Sequence, residues 1–150
     1  MSFAAAEADR RIANIVQIGT VTAIDGQASR AAVAIGDLTT TLLPVMQLRM
    51  GAIRLYAMPA IGEQVTVLAP GGDLARALIG PSIAASNAPG DGDPAHAVLD
   101  LGAGELRITG DLILTGKLVA SDDVIAGGIS LKAHKHGGVA TGAGKTGEPV

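Results

Sequence analysis

From Gly104 onward the chain repeats every six residues. It reads Gly-Glu-Leu-Arg-Ile-Thr, Gly-Asp-Leu-Ile-Leu-Thr, Gly-Lys-Leu-Val-Ala-Ser and Asp-Asp-Val-Ile-Ala-Gly, then reaches Gly128. The second position is charged in all four units: Glu105, Asp111, Lys117 and Asp123. The third holds Leu106, Leu112, Leu118 and Val124, and the sixth holds Thr109, Thr115, Ser121 and Gly127. A fixed hexad in a β-prone sequence is the mark of a β-helix or a related fibrous repeat. Side chains alternate along an extended strand, so positions three and five share one face. The resulting pairs are Leu106/Ile108, Leu112/Leu114, Leu118/Ala120 and Val124/Ala126, which shrink toward the C-terminus as a tapering shaft requires. The charged second positions are expected to face water.

Four hexads are too few for one chain. A single-chain left-handed β-helix uses about three hexads per coil and needs at least three repeats for stability. One copy therefore makes little more than one coil, which encloses no core. Three copies wound together enclose one, so the hexads imply a homotrimer.

The N-terminal part has a different rhythm. Residues 1–11 read as a lead-in or short helix, with Ser2 as a possible cap and alanines favouring it. From Ile12 to Ile24 the chain is β-branched and closes at Asp25-Gly26, a turn dipeptide. Further strands are predicted at Ala31 to Ile35, Thr39 to Leu43, Ile53 to Met58, Gln64 to Leu68 and Leu74 to Ile79. Short strands at this density suggest a small Greek-key barrel of the OB type. The stretch from Pro81 to Pro94, rich in Pro, Gly and Asp, reads as a linker. The expected organisation is a lead-in over 1–11, an OB-fold domain over 12–83, a linker over 84–95, a trimeric β-helix shaft over 96–133 and an apex over 134–150. The expected fold class is all-β, an OB-fold barrel followed by an intertwined triple-stranded β-helix that tapers toward a C-terminal apex.

Composition supports thin, turn-rich β architecture over one thick core. The chain is 48% apolar, yet Phe3 and Tyr56 are its only aromatics, and 21 glycines separate the aliphatics. The absence of cysteine excludes disulfides, thiolate metal sites and Cys nucleophiles. A net charge of −3 without a basic block argues against nucleic acid. No run approaches the roughly 18 apolar residues of a bilayer span. The first residues lack the basic and apolar regions of a secretory signal, so synthesis in a cytoplasm as a soluble product is expected.

The candidate site lies beyond the hexads, in Ser130-Leu131-Lys132-Ala133-His134-Lys135-His136-Gly137-Gly138-Val139. His-x-His on an extended strand puts both imidazoles on one face, about 7 Å apart. Taken alone, the spacing fits two ordinary surface histidines. At the end of a trimeric shaft, however, three chains supply six nitrogens around one axis, a set suited to an octahedral transition metal. The adjacent glycines let the three backbones approach closely. His96, beside the linker, has no such context and reads as a solvated residue.

Other constellations fail. Gly142-Ala143-Gly144-Lys145-Thr146 imitates a phosphate loop, but Val139 stands where the first glycine is needed and no helix can follow. Asp122-Asp123 alternates across a strand and reads as a solvated turn. Asp91 and Asp93 fit a flexible linker better than a cation site. No serine sits in a Gly-x-Ser-x-Gly elbow. No catalytic residue, cofactor-binding residue or small-molecule substrate is expected.

The chain as a whole resembles the central spike of contractile-tail baseplates, the baseplate assembly protein V type of phages and R-type tailocins. Two motifs carry the resemblance: Gly62-Glu63-Gln64-Val65-Thr66-Val67-Leu68-Ala69-Pro70-Gly71-Gly72-Asp73-Leu74, and the Ser130 to Val139 segment with its Gly/Thr tail and Pro149. The resemblance implies an OB domain that trimerises and docks to the tail hub, a triple-stranded β-helix, and an apex where one iron ion per trimer is held by His134 and His136 of three chains. Imidazole alone also accepts other transition metals. It further implies a structural, non-enzymatic role at the tail tip of a virion or tailocin, where the spike pierces the host outer membrane mechanically as the sheath contracts. The shaft is short, so any ions bound elsewhere along longer relatives do not map onto particular residues of it.

Two other classes share features with the chain. A hexapeptide-repeat acyltransferase shares the period but needs many more coils and a catalytic histidine between subunits; acyl-CoA binding would favour it. An OB-fold nucleic-acid-binding protein needs aromatics on the barrel for base stacking, which Tyr56 alone does not supply; tight, salt-sensitive DNA binding would favour that reading.

Overall fold

The computed structural model describes residues 2–84, 86, 88–90, 92–135 and 142. The chain forms two units, Met1–Asp100 and Leu101–Val150.

The first unit begins with α1 (Phe3–Ala13), capped by the Ser2 hydroxyl, which accepts from the Ala5 N–H at 3.3 Å. Arg10 and Arg11 occupy its last turn, where positive charge complements the carbonyl end. Both reach back to Glu7, at 2.9 and 2.8 Å, and Arg10 leads Arg11 in lowering that carboxyl to about 2. The helix runs through Ile12 and Ala13 before stopping at Asn14, so β structure starts later than Ile12. Its end is fitted to a turn of the barrel. A Cβ at Gly72, whose φ is +73°, would lie 2.6 Å from the Arg11 Cα.

The barrel strands are β1 (Val16–Asp25), β2 (Arg30–Ile35), β3 (Leu38–Thr39), β4 (Leu43–Pro44), β5 (Arg49–Met50), β6 (Arg54–Leu55), β7 (Gln64–Leu68) and β8 (Leu78–Ser82). β1 pairs antiparallel with both β2 and β7, β7 pairs with β8, and β4 pairs with β2. The ring closes where Val45 bridges Ile79 in parallel and the Met46 N–H donates to the Ile79 carbonyl at 2.8 Å. The cyclic order β1-β2-β4-β8-β7, with one parallel contact, is that of a five-stranded Greek-key OB barrel. β5 and β6 form a separate two-stranded ribbon in the connection to β7.

The core is aliphatic throughout: Val21, Val33, Leu43, Val65, Val67 and Ile79, with Ala31, Ala69 and Ala77. β7 shows why the pattern works. Val65 and Val67 are buried while the residues between and around them are not, as period-two alternation demands. Without large rings the strands must come close. At Gly19 a Cβ would meet the Val33 side chain and lie 2.7 Å from the Ala34 carbonyl oxygen.

Three predicted strands are adjusted. Thr39 to Leu43 splits into β3 and β4, because the Thr40 hydroxyl accepts from the Val33 N–H at 3.0 Å and replaces a ladder bond. Ile53 to Met58 is reduced to β6. Leu74 to Ile79 is a 3-10 turn at Leu74–Arg76, capped by the Asp73 side chain, followed by β8. β8 continues through Pro81 to Ser82. The register shift against β7 falls between Val65 and Val67, so Gly80 and Pro81 form a bulge where a missing N–H is tolerated.

In the second unit, the described residues 101–124 belong to no paired strand. A hairpin of β9 (Ile125–Ala126) and β10 (Ile129–Ser130) follows. Gly127 and Gly128 turn it with φ of +59° and +82°, the two-residue geometry that matches strand twist.

Candidate functional site

The hexads place their aliphatics in the open. Leu106 is 57% exposed, Leu112 70% and Leu118 70%, with Ile108 and Leu114 also exposed. Position four is aliphatic in three units, and Ile113 and Val119 are more exposed still. In the first hexad Arg107 instead pairs with Glu105, two residues away on the same face.

The hairpin connects this stretch to the histidines. Asp123 is its fastener: one carboxylate oxygen accepts from the Val124 N–H at 2.8 Å and from the Lys132 N–H at 3.1 Å, across nine residues. The Ser130 hydroxyl is the largest cause holding the Asp123 carboxyl below the usual range, followed by the Lys132 N–H. Ser130 Oγ in turn accepts from the Ala133 N–H at 2.8 Å. Asp122 pairs with the Lys132 ammonium at 3.1 Å. Both aspartates thus engage Lys132, one through its backbone and one through its side chain. The sequence reading of a merely solvated turn missed this.

His134 follows directly. Its N–H donates to the Ser130 carbonyl at 3.1 Å, and its Nδ1 lies 3.2 Å from that same oxygen and 3.0 Å from the Leu131 carbonyl. Carbonyl oxygens accept only, so Nδ1 is the donor to them, and in the neutral imidazole the lone pair is then on Nε2. A metal-bound histidine commonly donates its other ring N–H to a backbone carbonyl, so the donor chemistry of His134 fits a transition metal. His136 lies outside the described residues. Among the described residues no group of three His, Asp, Glu or Cys side chains converges on one point.

The remaining sequence candidates stand apart. His96 Nδ1 is 4.0 Å from Asp93, whose carboxylate also accepts from the Ala95 N–H at 2.8 Å. Asp91 and, Gly142 excepted, the phosphate-loop imitation lie outside the described residues.

Comparison with known proteins agrees with this arrangement at both ends. Residues 17–83 match the family model of the type VI secretion system/phage-baseplate injector OB domain. Residues 128–150 match the GpV Apex motif. The spike protein of Escherichia phage P2 is 33% identical over 92 residues, covering 61% of this chain and 44% of that spike. The chain is a baseplate-spike relative. As a spike relative it spans less than half the length of the P2 protein. The injector OB match coincides with the closed barrel, and the apex match begins at Gly128 in the hairpin turn and includes His134.

Proposed function

We propose that this chain is the piercing spike of a contractile tail, acting as a homotrimer without catalysis. The OB barrel docks to the tail hub, and residues 96–133 of three copies wind into an intertwined β-helix. His134 and His136 of the three chains hold one iron ion at the apex, and the host outer membrane is the target. On this reading the spike works at the tail tip of a virion or tailocin.

The observation that carries the reading is the exposed aliphatic row. Burying an exposed Leu, Ile or Val yields about 1.5–3 kcal/mol. Leu106, Ile108, Leu112, Leu114, Leu118 and Val124 are between 38% and 70% exposed in one chain. Covering the remainder is worth about 5–10 kcal/mol per chain before the cost of ordering. Two further copies of the same hexads supply the matching surface, and each strand edge then meets a neighbour instead of fraying.

The spike's work is mechanical: the sheath supplies force and the braid transmits it without unfolding. When bound, the metal crosslinks three C-terminal segments that would otherwise be separate ends. His134 contributes an imidazole already oriented by the Ser130 and Leu131 carbonyls.

Elemental analysis after extensive dialysis tests the apex. One iron per three chains is expected, with loss in a variant carrying both His134→Ala and His136→Ala. Metal retained by that variant, or absent from the wild type, refutes the proposed site.

A further inference from the structure

We propose that Asp123 is a positioning residue for His134, fastening the β9–β10 hairpin so that the imidazole emerges at a fixed place and angle. The inference rests on the metal-binding reading of His134. Three connected observations support it.

First, Asp123 closes the hairpin at its open end. Its carboxylate accepts the Val124 and Lys132 N–H groups, alongside the Leu131 N–H to Val124 carbonyl bond at 2.9 Å. Second, the Lys132 amide that Asp123 holds lies inside the Ser130 to His134 turn, where Ser130 Oγ also accepts from the Ala133 N–H at 2.8 Å. Third, His134 hangs on the same residue, since the Ser130 carbonyl receives its N–H and lies beside its Nδ1. Asp123 therefore reaches His134 through the Lys132 amide of the turn that carries it, without touching the imidazole. The strands are only two residues long, too few to hold this geometry by ladder bonds alone. Alanine removes the acceptor, whereas asparagine keeps an oxygen in the same place. The acceptor is what the fastener requires.

The test uses the full-length, metal-loaded protein and the variants Asp123→Ala, Asp123→Asn and Ser130→Ala. Two quantities are read on the assembled fraction: the rate of metal release to excess EDTA, and hydrogen exchange at the Val124 and Lys132 amides. Loss of an outer-shell partner costs about 10- to 100-fold in metal affinity. Asp123→Ala should release metal at least about tenfold faster and lose protection at both amides. Asp123→Asn should recover most of both, and Ser130→Ala should release faster with the Lys132 amide still protected. Wild-type release from Asp123→Ala overturns the proposal, as does fast release with both amides protected, or failure of Asp123→Asn to recover. If Asp123→Ala does not assemble, Ser130→Ala decides, and unchanged release overturns it. Wild-type protein lacking metal overturns the reading of His134 itself, a result distinct from the failures above.

Discussion

Replacing Leu112 by alanine separates a braided shaft from an independent chain. In one copy Leu112 is 70% exposed. Substitution at such a surface position changes stability by no more than about 0.5 kcal/mol. In the proposed trimer the same side chain would enter the core at three equivalent places, where a buried Leu→Ala costs about 2–5 kcal/mol each. The trimer therefore loses about 6–15 kcal/mol. The lower figure is about four powers of ten in the equilibrium between one trimer and three chains. That constant has the dimension of concentration squared, so the concentration at which trimers dissociate should rise about a hundredfold. Sedimentation equilibrium over a dilution series measures this directly. Ile113→Ala is the internal control: Ile113 is 90% exposed, and alternation puts it on the opposite face. Equal effects of the two substitutions, or no shift for Leu112→Ala, would refute the assignment of positions three and five to the interior.

Two further outcomes follow from local geometry. Asp123 has a lowered pKa in the folded hairpin, so its contribution is present above the ordinary Asp value of 3.8 and is lost as pH falls through the lowered value. Protection of the Lys132 amide, relative to its intrinsic exchange rate at each pH, should hold from neutrality to about pH 4 and fall only below it; opening that begins well above that range contradicts the assigned bonds. Gly19→Ala forces a methyl against the Val33 side chain and the Ala34 carbonyl. Overpacking of this kind costs about 1–3 kcal/mol, which lowers the Tm of a small domain by roughly 5–20 °C in calorimetry. An unchanged Tm would mean that β1 and β2 do not approach as closely as described.

The parts of the fold that local pattern governs were readable from residues alone. Gln64–Leu68 is a strand with the expected bounds because alternating valines lie between the Gly62 turn and Pro70. The barrel follows from many such short runs. Prolines and caps misled where tertiary partners decide. Pro81 looks like the start of a linker, yet a bulge opposite Thr66 accommodates it, and the Thr66 hydroxyl donates to its carbonyl at 2.7 Å. Leu74–Arg76 looks extended, but the Asp73 side chain folds it into a turn. Ile12 is β-branched, and the alanine- and arginine-rich turn before it carries it into α1.

At the candidate site, His134 stood out by its place after the hexads, but Asp123 did not. Its partner is Lys132, and nothing in a six-residue period points nine residues ahead. A signal was present: Gly127-Gly128 between Val-Ile-Ala and Ile-Ser-Leu is a two-residue hairpin signature, and it brings residues 123 and 132 together. The exposed leucines could be read in the sequence as an interior and are found in the single chain as a surface. Both descriptions hold if the interior belongs to more than one copy.

The mass of the native particle tests that claim most directly. Native mass spectrometry of the full chain should find a species of three 14.9 kDa polypeptides carrying one additional transition-metal ion. A monodisperse single polypeptide, with the hexad amides protected from exchange, would contradict the account.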